Sequence, residues 1–340
     1  MIIHFRRLAA PLALLLVLLS PPSLQAAPTP GPGAENADTT TLFGAIVKVS
    51  TRVPADARTV RSLGSERVGS GVVIDGSGLV LTIGYLMLEA ESAEITLAGG
   101  RTVAASLVAY DHDTGFGLLR ATRPLNVAPV TLGKSSDLGP RDKVLVVPFG
   151  GVKLAMPALV VGRRPFAGSW EYLLENAIFT SPPHPQFGGA GLFDMDGRLV
   201  GIGSLIVGDA AGPGHQVPGN MFVPIDRLAP ILGDLLESGR SSAPRRPWLG
   251  LSSEEVRGRL FVVRVAKGGP AHAAGIEPGD IVIGVGGAPV TGLADFYRKV
   301  WALGEAGIKV PIDILHGAAI RAVTVKSIDR YRWLKLGRSN

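Results

Sequence analysis

The feature that most constrains this chain is its turn punctuation. Gly71 to Ile74 and Leu79 to Thr82 flank Asp75-Gly76-Ser77-Gly78, and Glu94 to Ala98 and Arg101 to Ala105 flank Gly99-Gly100. Val144 to Val147, Ala158 to Val161 and Glu171 to Thr180 continue the series, and Leu192-Phe193 and Arg198 to Ile202 flank Asp196-Gly197. Short apolar runs separated by Asp-Gly and Gly-Gly pairs read as hairpins, because glycine reaches the positive φ of tight hairpin turns without steric cost. Many such strands in succession predict an antiparallel sandwich or barrel. The 45 glycines and 26 prolines fit that reading, and 18% charged residues is too few for a largely disordered chain.

The rhythm changes after Val223. Asp226 is expected to cap a helix running to about Ser238, with Leu228, Ile231, Leu232 and Leu235 on one face. Glu237 to Pro247 is a polar, turn-rich linker. From Trp248 a second unit is expected, with strands at 260–265, 281–285, 309–314 and 320–325. Its helix, around Leu293 to Leu303, places Phe296, Val300 and Leu303 on one side. The expected organisation is a leader at 1–26, a linker at 27–41, a first domain at 42–238, a linker at 239–247, a second domain at 248–330 and a tail at 331–340.

At the N-terminus, Arg6 and Arg7 precede an apolar run from Leu8 to Leu19, which Pro21 and Pro22 break before the small pair Ala26-Ala27. This pattern is that of a secretory signal peptide. The run is shorter than the roughly 20 residues that span a bilayer, so cleavage is expected over retention as an anchor. Removing Arg6 and Arg7 from the formal charge of +6 leaves +4, a mild basicity that suits envelope surfaces better than nucleic acid. The chain has no cysteine, which excludes thiol nucleophiles, disulfides and thiolate metal sites. The tail Arg330-Tyr331-Arg332-Trp333-Leu334-Lys335 reads as a strand end and solvated tail, with a membrane-surface or polyanion contact as the alternative.

The second unit resembles a bacterial-type PDZ domain. The stretch Gly269-Pro270-Ala271-His272-Ala273-Ala274-Gly275-Ile276-Glu277-Pro278-Gly279-Asp280-Ile281-Val282 matches that family at several spaced positions. Upstream, Trp248-Leu249-Gly250-Leu251 is similar to the family's carboxylate-binding loop. There Gly250 lets successive N–H groups converge on a peptide C-terminus, while the adjoining strand edge pairs with the incoming chain. The first unit resembles the trypsin-like domain of the HtrA/Deg family. Val68 to Asp75, Leu192 to Ile202 and Met221 to Ile225 carry the likeness. Together the resemblances imply a mainly β protein, a trypsin-like double β-barrel followed by a small α+β PDZ domain.

Serine proteases of this type use a hydroxyl nucleophile, a histidine base and a carboxylate that orients the base. By alignment with the family's motifs, Tyr85 in Thr82-Ile83-Gly84-Tyr85-Leu86-Met87 stands at the histidine position. Gly115 in Asp111-His112-Asp113-Thr114-Gly115-Phe116 stands at the carboxylate position. Gly188 in His184-Pro185-Gln186-Phe187-Gly188-Gly189-Ala190-Gly191-Leu192 stands at the nucleophile position. A phenol is a poor base at neutral pH, and losing nucleophile and base costs about a million-fold in turnover in a triad enzyme. His184, His112, Ser181, Thr180 and His215 read as loop residues, and Asp111, His112, Asp113 and His184 lack metal-site spacing.

The expectation is therefore an exported, periplasmic, non-catalytic homologue of a serine endopeptidase. It would bind peptides or protein C-termini through Trp248, Leu249, Gly250 and Leu251, without metal or cofactor, as an adaptor, regulator or chaperone-like module. The resemblance implies an oligomer, a trimer by family analogy, and a possible active paralogue as partner. A serine endopeptidase with a non-standard site and a structural envelope component are the alternatives.

Overall fold

The computed structural model describes residues 42–336. The expected leader and the linker at 27–41 lie outside the described residues. The first barrel contains β1 (Ile46–Arg52), β2 (Glu66–Val73), β3 (Leu79–Ile83), β4 (Ser92–Thr96), β5 (Thr102–Tyr110) and β6 (Phe116–Ala121). It closes in the order β1-β2-β3-β6-β5-β4. The second contains β7 (Lys143–Val147), β8 (Met156–Gly168), β9 (Tyr172–Ser181), β10 (Gly191–Phe193), β11 (Leu199–Val207) and β12 (Gly219–Pro224), closed as β10-β11-β12-β9-β8-β7. All strand pairs in both barrels are antiparallel.

The turn chemistry explains why these strands pair where they do. The Asp75 carboxylate accepts the N–H groups of Ser77 and Leu79 at 2.9 and 2.8 Å, which fixes the β2–β3 connection and aligns Val72 with Leu81. Asp194 does the same for Asp196 and Arg198 before β11. Val49, Val72, Leu81, Phe116 and Leu118 then fill the first barrel, and Val146, Val160, Ile178, Leu192 and Phe222 the second. Each such side chain contributes about 2 kcal/mol by leaving water.

The third unit is a sheet in the order β13-β14-β15-β17-β18, made of β13 (Leu251–Val256), β14 (Arg259–Val265), β15 (Ile281–Val285), β17 (Lys309–His316) and β18 (Ala319–Lys326), with the short β16 (Ala288–Pro289) beside β15. The helix Leu293–Ala302 buries Leu293, Phe296, Tyr297 and Val300 against the sheet. Leu249, Leu251, Val262, Val282, Ile312 and Ile314 complete this core, and Leu173 of β9 joins it from the barrel.

Two local expectations need correction. Asp226 does not cap the helix Ala229–Ser238, whose N-cap is Leu228 and whose first turn carries Pro230. Its carboxylate instead accepts the N–H groups of Ser135 and Ser136, at 2.9 and 2.7 Å, and so ties the loop before β7 to the end of β12. Nor is the tail a solvated end as far as residue 336. Asp329 caps the short helix Arg330–Trp333 by accepting the Tyr331 N–H. The Tyr331 hydroxyl donates to the Tyr110 carbonyl at 2.9 Å, and Trp333 packs on Trp248 with ring centroids 5.1 Å apart. The Lys335 N–H reaches Glu89 at 2.8 Å, so this segment straps the PDZ unit to the first barrel. Among the described residues no helix is long and apolar enough to cross a membrane.

Candidate functional site: the inter-barrel cleft and the PDZ loop

The fold brings the three aligned triad positions together between the barrels. Tyr85 lies in the single 3-10 turn Gly84–Leu86 directly after β3. Its hydroxyl crosses to the second barrel and donates to the Ser204 carbonyl at 3.0 Å. Burial pushes its ionisation well above the ordinary phenol range. A side chain at Gly188 would begin 2.8 Å from the Tyr85 hydroxyl oxygen. Tyr85 thus occupies the space into which a residue at 188 would project. Gly115 has φ +83, its carbonyl accepts the Gly84 N–H at 2.7 Å, and a Cβ there would lie 3.3 Å from the Tyr172 hydroxyl.

The loop before β10 is held by backbone contacts. Ser70 N–H donates to the Gly188 carbonyl at 2.8 Å, and Gly189 N–H to the Gly203 carbonyl at 2.9 Å. Gly189 has φ +74, and a Cβ there would fall 2.0 Å from the Ser70 carbonyl oxygen, so only glycine fits. The Gln186 N–H turns inward to His184 Nδ1 at 3.0 Å, while His184 Nε2 donates to the Leu154 carbonyl at 2.8 Å. Both ring nitrogens are therefore engaged with backbone. Ser181 donates to the Pro218 carbonyl at 2.9 Å. His112 is half-buried between Tyr110, Glu171 and Arg330, and desolvation lowers its pKa well below the ordinary histidine value, so its ring is neutral. Among the described residues no hydrogen bond joins a serine or threonine hydroxyl to a histidine ring.

The second place where chemistry converges is Trp248-Leu249-Gly250-Leu251. Trp248 pairs through its backbone with Ile328. Gly250 has φ +80, which turns the next donors the same way. The N–H groups of Leu249, Gly250 and Leu251 all point at one carboxylate, that of Glu171, at 2.8, 2.7 and 2.9 Å. Glu171 sits at the tip of the β8–β9 hairpin with φ +59 and is only 4% exposed. The sequence reading placed it at the start of a strand and gave it no role. Desolvation pushes its carboxyl up to about 7, against the pull of the three donors and of Arg330.

The same hairpin makes further contacts along the groove. The Ser253 N–H of β13 donates to the Ser169 carbonyl at 3.0 Å. Tyr297, on the helix facing β13, donates to the Gly168 carbonyl at 2.7 Å and accepts the Glu171 N–H at 3.1 Å. Arg330 donates to the Trp170 carbonyl at 2.6 Å. Sequence reasoning missed Glu171, Tyr297 and Arg330 as members of this site. The one local signal for the hairpin was the turn Gly168-Ser169-Trp170 between apolar runs.

With this geometry in hand, comparison with known proteins places the parts. Residues 69–202 match the model of the trypsin-like peptidase domain, and residues 247–327 that of the PDZ domain. A probable periplasmic serine endoprotease DegP-like of Pseudomonas putida (strain W619) is 28% identical over 279 residues, 77% of this chain and 56% of the relative. The periplasmic pH-dependent serine endoprotease DegQ of Escherichia coli (strain K12) is 29% identical over 272 residues, 74% of this chain and 57% of the relative. The chain spans little more than half the length of these curated relatives.

Among solved structures, the HtrA-type protease AlgW with decapeptide covers 86% of this chain and 97% of its own at 19% identity and a TM-score of 0.51. A serine endoprotease from Yersinia pestis covers 89% of this chain and 99% of its own at 23% identity and a TM-score of 0.50. The relatives overturn one expectation. The sequence reading made the chain a non-enzyme on the strength of Tyr85, Gly115 and Gly188, yet proteins matched along three quarters of it are curated as serine endoproteases. The three substitutions are thus not grounds for classing the chain as inactive. The chain thus pairs a region matching the trypsin-like peptidase domain with a C-terminal region matching the PDZ domain, and in that order of parts it is similar to HtrA/DegP-type proteins.

Proposed function

We propose that this chain is an exported HtrA-type protein that engages polypeptides through its PDZ unit, taking the C-terminal carboxylate of a protein chain on the Leu249-Gly250-Leu251 loop. The observation that carries this reading is the set of three N–H donors converging on one carboxylate at 2.7 to 2.9 Å. Such a nest binds a carboxylate through charge-assisted hydrogen bonds. The outer edge of β13, whose Ser253 N–H is bonded to the Ser169 carbonyl, has the backbone donors and acceptors to pair with the rest of the ligand. Export to the periplasm follows the relatives' compartment and the signal-like N-terminus. An oligomer or an HtrA-type partner subunit fits the same proposal. The binding test is fluorescence anisotropy of full-length protein with short peptides carrying free or amidated C-termini. Preference for the free acid supports the reading, and equal affinity for both sinks it.

A second reading, serine endopeptidase activity, is favoured by the relatives' names along three quarters of the chain. The reacting hydroxyl would then be one other than at position 188, which is glycine. A fluorophosphonate probe with casein cleavage on purified protein decides it. Covalent labelling with cleavage establishes the activity, and mapping the labelled residue identifies the nucleophile. Loss of labelling in Ser181→Ala would assign it to that hydroxyl.

A further inference from the structure

We propose that the tip of the β8–β9 hairpin, residues 168–173, is an internal ligand of the PDZ groove, with the Glu171 carboxylate standing in for a chain terminus, so that a protein C-terminus opens the groove by displacing it. This rests on the C-terminus reading above and adds the regulation of that site.

Four independent contacts place the hairpin as a ligand would lie. The carboxylate takes all three loop donors. The Ser169 carbonyl accepts from Ser253 on β13, the strand edge that an extended peptide would augment. The opposite wall, the helix Leu293–Ala302, contributes the Tyr297 hydroxyl to both Gly168 and Glu171. Leu173 inserts its side chain into the PDZ core with Leu249, Leu251 and Val300. A structural packing contact alone would not need a carboxylate buried on three N–H groups, because an unpaired or poorly matched charge there is costly.

The arrangement is intramolecular, so the hairpin competes at a high effective concentration. A free C-terminus binds the open state only, and its apparent affinity falls by the fraction of molecules that are closed. Two straps hold the closed state. Arg330 anchors the Trp170 carbonyl, and Trp170 stacks on Tyr172 with ring centroids 5.7 Å apart. Arg298 pairs with Glu175 on β9 at 2.7 Å, at an exposed position where the pair adds little.

The experiment uses the full chain and two readouts. The first is amide hydrogen exchange at Leu249, Gly250 and Leu251 in wild type, Glu171→Gln and Glu171→Ala. Protection is expected in wild type, with a loss of at least about tenfold in Glu171→Ala, while Ile312 and Ile314 in the PDZ core stay protected and show that the domain remains folded. Unprotected loop amides in wild type, or equal protection in all three proteins, overturn the internal ligand. The second readout is anisotropy with a fluorescein-labelled pool of short peptides ending in Leu, Val or Phe as free acids. Binding at least about tenfold tighter to Glu171→Ala than to wild type is expected. Equal, tight binding to both overturns the internal ligand and leaves the C-terminus reading standing. Absence of binding to either sinks the C-terminus reading, and the exchange data alone then decide whether the hairpin closes the loop.

Discussion

At the junction of the barrels, Tyr85, Gly115 and Gly188 lie together, and the Tyr85 hydroxyl bonds the Ser204 carbonyl and covers the space over position 188. At the PDZ loop, the donor set is complete and holds a carboxylate. Both sites are closed, but by different physics. The cleft is covered by the Tyr85 side chain and held by backbone around Gly189, which admits no side chain. The groove is closed by a hairpin tip whose contacts are those a separate peptide could replace. On the proposed reading, ligand exchange belongs to the PDZ unit and rigidity to the barrels.

The sharpest way to break that contrast is to disturb the cleft's backbone. Gly189→Ala combines φ +74 with a Cβ 2.0 Å from the Ser70 carbonyl oxygen. It is expected to cost on the order of 4 kcal/mol of barrel stability, read as a fall in the urea midpoint of the barrel transition. A loss below about 1 kcal/mol would mean that this loop yields as readily as the hairpin.

Next comes Glu171→Ala, which leaves three N–H groups without their carboxylate. Loss of about 2–3 kcal/mol of docking is expected, since hydrogen bonds to a charged group are the strong ones. Calorimetry should show the PDZ transition separating from that of the barrels, with the barrel transition unmoved. A single unshifted transition would mean that the straps at Arg330 and Trp333, not Glu171, hold the units together.

A third test probes whether Tyr85 fills the space over position 188. Gly188→Ala is expected to cost about 2 kcal/mol, because its Cβ meets the Tyr85 hydroxyl oxygen at 2.8 Å and that hydroxyl is bonded to Ser204. In a Tyr85→Phe background the same change should cost less than about 1 kcal/mol, a non-additivity that a double-mutant cycle measures. Additive costs would mean that the two residues do not meet.

How much of this was legible in the sequence follows from the range of each interaction. The β2–β3 turn could be read because Asp75 bonds Ser77 and Leu79, its near neighbours. Gly250 could be read because its φ of +80 is a local demand. Glu171 could not, because its partners lie 78 to 80 residues away and it reads equally well as the first residue of a strand. Asp226 failed for the same reason. It has the composition of a helix cap, yet the donors it meets belong to Ser135 and Ser136, which no sequence pattern places beside it. The bond from Tyr85 to Ser204, across 119 residues, could not be read either.

The smallest expected effect is one of pH. The Glu171 carboxyl, raised by burial to about 7 when docked, faces Arg330, Tyr297 and the three loop N–H groups, with His112 against its backbone. The docked state binds the proton more tightly than the open one. Its contribution is fully present below the ordinary carboxyl range and is lost as pH rises through about 7. Docking should therefore weaken by at most about 1.4 kcal/mol per pH unit within that window, read as faster exchange of the loop amides after correction for intrinsic rates. Glu171→Gln should flatten the dependence, and an equal slope in that variant would assign it to another group.

The most direct measurement of the central claim follows the Gly250 amide resonance in full-length Glu171→Ala protein during titration with paired peptides, identical except for a free or amidated C-terminus. The expected result is a saturable downfield shift with the free acid and none with the amide. A Gly250 amide that responds alike to both, or to neither, would contradict the assignment of this loop to chain termini.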